Sequence, residues 1–352
     1  MGGEGTTRGP AARGSPTLKT IAQATGLAVA TVSRALSDAP DLRAETKALV
    51  RRTADELGYV PNRAGLRLRT GRTQVVALVM STEHDMMNHT ARLISSLAGE
   101  LRSTPYHLNV TPFFPGEDPL RPIRHVVENG LADAVIFNQT QPRDPRVEWL
   151  MARGFPFATH GRTLWAASHA WADFDNDAWA RLGVRRLLAR GRGRLALLAP
   201  PPEQNYAQDI LRGARAEAGA QGADLRVIGE ATSDSPGPEI RAALGRALAQ
   251  GADGLICAST ASAMSAVAAL EARGMAVGRD ADLFAKEAIP FLDLFRPGIL
   301  ALREDVGRAG RVLARAAIRA IREPEAPPLQ DLEVPEDPEG PPGPPPTDRE
   351  RR

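Results

Sequence analysis

Residues Thr20–Ser37 read TIAQATGLAVATVSRALS, two short apolar-patterned runs split by Gly26. An isolated helix needs about 12–15 residues to persist in water, so neither run is stable alone and both need a shared core. Leu18, Ile21 and Ala22 recur at helical spacing and give the first run a buried face. The second, Val29 to Ser37, sets Val32 and Leu36 on one face and turns Val29, Ala30, Ser33, Arg34 and Ser37 outward. A third helix, Ala44 to Leu57, offers Leu49, Val50, Ala54 and Leu57 as its stripe. Two short helices joined through a Gly turn form the helix-turn-helix pattern, whose second helix reads base edges in the DNA major groove. A small helical bundle with no nucleic-acid role has the same spacing.

The segment that follows separates the two. GYVPNRAGLRLRTGR, residues 58–72, places Leu66 and Leu68 among four arginines. Leucines on a thin basic connector are poorly placed in water. They are well placed on DNA, where Leu wedges between base steps and Arg holds phosphate. Charge agrees: residues 1–72 carry 12 Lys/Arg against 6 Asp/Glu, within a net charge of only +2 for the chain. A basic segment of this kind is the footprint of a phosphate-binding part.

From Thr73 the rhythm changes. Apolar runs of strand length recur at 75–80, 107–113, 133–138, 156–161, 195–200, 224–229, 253–259, 282–287 and 299–304, with helical patterns between them. Strands alternating with helices imply a mainly parallel sheet covered on both faces. Nine strands exceed an ordinary single sheet and imply two lobes. The expected organisation is an arm at 1–15, a helical head at 16–60, a connector at 61–72 and a two-lobed core at 73–322. One lobe takes 73–173 and 302–322, the other 174–301. Residues 323–352 hold 10 of the 29 prolines and 9 Asp/Glu against 3 Arg. On composition that segment, like the arm, is expected to be disordered.

The run TLKTIAQATGLAVATVSRALS with VPNRAGLRLRTG resembles the DNA-binding head and hinge of the lactose-repressor/galactose-repressor family. TVSRAL at 31–36, LGYVPN at 57–62 and Leu68 six residues after Asn62 carry the resemblance. It implies an N-terminal all-α helix-turn-helix head plus hinge, followed by a two-lobed α/β core similar to periplasmic sugar-binding proteins. By position, it places Val29, Ala30 and Arg34 on base edges, with Arg34 the candidate for a bidentate contact to guanine. Thr17, Thr31, Ser33, Tyr59 and Asn62 fall on phosphate-contacting positions, and Arg63 beside them joins the DNA-binding set. Residues 62–69 are expected to form a helix only on operator DNA, where Leu68 of two subunits opens the central base step. A homodimer on a pseudo-palindrome follows. Ala28 departs from the family's usual Ser before the recognition helix, at a cost of about 1 kcal/mol in capping. Gly65 in the hinge lowers helix propensity by about 1 kcal/mol.

The resemblance also implies a small-molecule effector, most often a sugar, between the lobes. Candidates by position are His160 and Arg162 in THGRT, Asp173, Asn205, Gln208, Ser259 and Lys286, with Trp165 and Trp171 available to stack on a sugar face. Ile210, the Ser259-Thr260 pair and Lys286 depart from commoner family residues, which leaves an acidic or phosphorylated effector, or a core that only dimerises, as the alternatives. No phosphate-binding GxxxxGK[ST] or nucleophile-elbow GxSxG is present, so no enzyme is expected. No cofactor is expected. The six histidines lack metal-site spacing, His84 and His89 near Asp85 coming nearest. No membrane partner is expected. The opening residues have no apolar core, and Cys257 is the single cysteine, so the expected compartment is the cytoplasm.

Overall fold

The structure is a computed structural model that describes residues 16–59, 71–81, 87–114 and 116–336. Residues Asn62, Arg63 and Leu68, most of the expected hinge and residues 337–352 lie outside the described residues. The chain divides into two compact units, Met1–Thr73 and Gln74–Arg352.

In the first unit, helix α1 spans Leu18–Thr25, α2 Val29–Leu36 and α3 Ala44–Glu56. A reciprocal capping box starts α1: the Thr20 amide donates to Thr17 Oγ1 at 3.3 Å, and the Thr17 amide donates to Thr20 Oγ1 at 3.2 Å. Gly26 ends it at φ 69°, the left-handed conformation that a residue without Cβ adopts freely. As the sequence implied, Ala28 gives α2 no side-chain cap. Ile21, Ala22, Val32, Ala35, Val50 and Ala54 form the buried core. Two expectations fail in detail. Ala35 takes the fully buried place and Leu36 is only partly buried, while Leu49 and Leu57 are exposed. The 13-residue α3 is longer than either 8-residue partner. Val50 and Ala54 alone are buried on it.

The second unit is two parallel sheets. Strands β1 (Val75–Ser81), β2 (His107–Phe113), β3 (Ala134–Phe137), β4 (Phe157–His160) and β5 (Ala170–Phe174) enclose helices α4 (Met87–Leu101), α5 (Leu120–Glu128) and α6 (Pro145–Met151). The chain then passes into the other lobe. There α7 (Asn176–Ala189), β6 (Arg194–Leu198), α8 (Asn205–Gln221), β7 (Asp224–Val227), α9 (Gly237–Ala249), β8 (Gly254–Cys257), α10 (Thr260–Glu271), β9 (Asp282–Glu287), α11 (Leu292–Phe295) and β10 (Leu300–Arg303) alternate. It returns as α12 (Val306–Arg322) and β11 (Gln330–Glu333). The sheet orders are β11-β5-β4-β3-β1-β2 and β10-β9-β8-β6-β7, parallel throughout.

Strand β1 shows why its run is apolar without alternation. Val76, Leu78 and Met80 pack on one face with Leu93, Leu97 and Leu101 of α4 and Leu313 of α12. Ala77 and Val79 pack on the other with Ile123 and Val126 of α5. Both faces are covered, so every position is buried.

All nine expected strands form; β5 and β11 were not expected. β5, AWADF, is wholly buried, but its Trp and Asp break the apolar run by which strands are recognised. β11 corrects the expected disorder of residues 323–336. It lies parallel to β5, with the Trp171 amide donating to the Leu329 carbonyl at 3.1 Å and the Asp175 amide to the Glu333 carbonyl at 2.8 Å. Arg308 of α12 forks onto Asp331 at 2.7 and 2.9 Å. Prolines flank the strand rather than interrupt it, as an edge strand tolerates. The first lobe therefore includes residues 330–333, and the chain re-enters it after Arg303 rather than at residue 302.

Candidate functional site

The head presents its candidate residues on the outer face of α2 and at the ends of the unit. Val29 is 45% exposed, Ala30 and Arg34 are exposed, and Thr31 and Ser33 are partly covered. Thr17 is exposed at the N-cap of α1, and Tyr59 packs its ring against the core from beyond α3. Arg34 is not free: its guanidinium pairs with Asp41, in the turn before α3. Asp38 ends α2 in the left-handed conformation, φ 56°, and binds Lys47 and Arg51 of α3 at 3.2 and 2.8 Å. Those pairs connect the end of α2 to α3.

In the second unit a cavity of about 390 Å³ lies between the lobes. Its first-lobe wall is His89, Asn138, Gln139, His160, Gly161 and Asp173, all but His89 at or just past C-terminal strand ends. Asn176, Tyr206, Ser233, Asp234, Ser259, Met264, Lys286 and Glu287 form the opposite wall, and Glu304 stands in the crossover. Ligands of open α/β sheets bind at such strand ends, where loops carry polar groups over a rigid scaffold.

Of the seven residues expected here, His160, Asp173, Ser259 and Lys286 line the cavity; Arg162, Asn205 and Gln208 do not. Arg162 stands behind Asp173, its Nε donating to Asp173 Oδ2 at 2.7 Å, and reaches Asp209 of the second lobe at 3.5 Å. It links the lobes and steadies the cavity's aspartate. Asn205 opens α8, where its backbone amide donates to the Thr140 carbonyl at 2.7 Å. Gln208 turns outward and donates to the Pro202 carbonyl. Trp171 is buried in β5, its indole donating to the Ala166 carbonyl at 2.9 Å, and like Trp165 it does not line the cavity.

Lys286 and Glu304 organise the polar end. Lys286 Nζ pairs with Glu304 Oε2 and donates to Asn176 Oδ1 at 3.0 Å, 4.7 Å from the Phe174 ring centre. His160 Nε2 is 3.0 Å and His89 Nε2 3.7 Å from Glu304 Oε1. Burial alone would raise the Glu304 carboxyl. The Lys286 charge and the hydrogen bonds from His160 and His89 outweigh it and hold the group well below the usual carboxylate range. Burial lowers the His89 imidazole, which favours its neutral form. Ser259 caps α10 through Ser262, so its hydroxyl is engaged within the helix start.

The residues missed from sequence are informative. The Asn138 side-chain oxygen is buried and meets no donor among the described residues. Gln139 beside it has φ 53°, a left-handed backbone held at the cavity wall. Tyr206 and Met264 supply apolar surface. An amide followed by an out-of-pattern Gln at the end of strand β3 was the available signal. Among the described residues, no helix is long and apolar enough to cross a membrane.

Family models match two segments: bacterial regulatory proteins of the lacI family at residues 17–62, and a periplasmic binding protein-like domain at 184–338, which takes in β11. The chain is 32% identical over 312 residues to the HTH-type transcriptional regulator AglR of Rhizobium meliloti, covering 86% of each protein. It is 27% identical over 315 residues to the HTH-type transcriptional regulator CelR of Thermobifida fusca, covering 87% of this chain and 92% of that one. Two solved structures share the fold. The lac repressor dimer bound to operator and the anti-inducer ONPF has a TM-score of 0.78 at 19% identity, covering 91% of this chain and 97% of that one. The CelR–cellobiose complex has 0.67 at 23%, covering 91% and 98%.

Proposed function

We propose that this chain, which belongs to the lacI family of bacterial regulatory proteins, is a cytoplasmic repressor that binds a pseudo-palindromic operator as a homodimer and is released by a sugar or short oligosaccharide. One pairing supports this above the rest: a helix-turn-helix head and a cavity large enough for a small ligand, walled by both lobes, occur in one chain.

On the DNA side, Arg34 supplies the hydrogen-bonded readout, since Val29 and Ala30 can touch thymine methyls but not hydrogen-bond a base. Thr17, Thr31, Ser33, Tyr59, Asn62 and Arg63 hold the backbone, and Leu68 wedges the central step. On the ligand side, Asn138, His160, Asp173 and Asn176 offer donors and acceptors to hydroxyl groups, with Tyr206 and Met264 against the apolar sugar faces. Arg162, Asn205 and Gln208 are left out of direct contact. The solved CelR structure is a complex with cellobiose, and the polar-and-apolar lining here suits a ligand of that kind. Ligand binding shifts the lobes, and the head releases DNA because the two sites share one conformational equilibrium.

Two measurements test the reading. Selection from a random DNA pool should enrich a palindrome with a central flexible step; no enrichment would overturn the DNA half. Calorimetry of the purified chain against mono- and disaccharides should give one saturating ligand that also weakens operator binding. Failure across the panel would favour a core that only dimerises.

A further inference from the structure

We propose that His89, His160 and Glu304 form a site for a divalent transition cation of the zinc, cobalt or nickel class, with one coordination position open to the cavity. The three residues come from α4, the end of β4 and the crossover after β10. His160 Nε2 is 3.0 Å and His89 Nε2 3.7 Å from the same oxygen, Glu304 Oε1, and the ligand atoms all lie within 4.8 Å of one another. A tetrahedral ion bound at about 2.0–2.2 Å holds its ligand atoms roughly 3.3–3.6 Å apart, so the His160–Glu304 pair would open slightly while the His89 separations close. The two imidazole centres lie 5.1 Å apart with 19° between their planes, and both Nε2 atoms approach the same Glu304 oxygen.

Two imidazoles and one carboxylate suit borderline cations rather than magnesium or calcium, which take oxygen ligands. All three residues line the cavity, so the fourth ligand is water or an oxygen of the bound effector. The ion would thus join effector, first lobe and crossover. Lys286 sets the limit on affinity. Its ammonium occupies the other Glu304 oxygen and donates to Asn176, leaving Oε1 to the histidines while opposing a second positive charge. Metal binding itself does not depend on the regulatory reading above; only its coupling to the effector does.

The test uses the full chain without a histidine tag, stripped with chelator and titrated with Co²⁺, whose visible absorption reports four-coordinate ligation, and with Zn²⁺ by calorimetry. One equivalent should bind. Affinity should fall at least about tenfold in His160→Ala and in Glu304→Gln, and rise about tenfold in Lys286→Met. Absence of a Co²⁺ spectrum in both the wild type and Lys286→Met would overturn the site even if the histidine variants fail to fold. Wild-type affinity in a folded His160→Ala would overturn it too. A failed operator selection would leave these titrations unaffected, so the two readings fail separately.

Discussion

In the proposed reading Arg34 carries the hydrogen-bonded part of DNA discrimination, since its neighbours at 29 and 30 have no side-chain hydrogen-bonding group. Arg34→Ala should cost about 1–3 kcal/mol against the selected operator and relax preference at one base pair. Binding to a panel of single-base operator variants measures both, and an unchanged preference removes Arg34 from the readout. Its pairing with Asp41 is exposed at both ends and contributes little to head stability. At the other end of the chemistry, Cys257 is buried in β8 and its thiol is pushed up to about 12 by burial. Only the thiolate is nucleophilic. Native protein at pH 8 should therefore leave a thiol reagent unreacted, with one equivalent released on denaturation. Rapid native reaction would contradict the packing. Glu304 is the opposite case, a buried carboxyl with a lowered value. Such a group stabilises the fold above its unfolded value near 4.5, and the contribution is lost as pH falls through the lower folded value. Glu304→Gln should thus be less stable than wild type at pH 7, with the difference shrinking below about pH 4.5. Chemical denaturation across that range measures it.

Helix packing turns on glycines that only the fold explains. A Cβ at Gly213 of α8 would strike the Asp177 backbone carbonyl of α7, and a backbone atom cannot swing away. Gly213→Ala should lower stability by about 1–3 kcal/mol, the cost of overpacking. Gly219 lies on the same helix with open space around its Cβ position. Gly219→Ala should raise stability by up to about 1 kcal/mol through helix propensity alone. Melting temperatures of the two variants should move in opposite directions, and a common direction would refute the contact. The edge strand β11 supplies the second element-scale prediction. It closes the sheet beside β5 and ties α12 through Arg308 to Asp331. A chain ending at residue 322 should melt several degrees lower, and extension to residue 336 should restore it. Equal melting of both would return β11 to the status its composition first suggested.

At the scale of the molecule, the two units were legible for different reasons. The head was readable because its signals are local: Ile21, Gly26 and Val32 lie within a dozen residues, and each is dictated by helix period or turn geometry. The lobed core was readable because parallel strands covered on both faces must be apolar without alternation, as β1 and β8 are. Their count alone required two sheets. Composition misled where it averaged over a segment, so four strand residues between prolines were lost in an acidic tail. Polar interruption hid β5 for a similar reason. The ligand cavity was half legible. A strand end marks where a site lies, but which side chain enters depends on register, on ion-pair partners and on the other lobe. Arg162 is drawn behind the wall by Asp173 and Asp209, while Asn138 and Glu304 enter it from segments with no motif. Local patterning thus determined the helix-turn-helix and the strand alternation, and the resemblance of TVSRAL and LGYVPN pointed to the family. Only the tertiary structure decided the cavity lining, the edge strand and the His89–His160–Glu304 set, because each depends on contacts between residues far apart in the chain that no local period records.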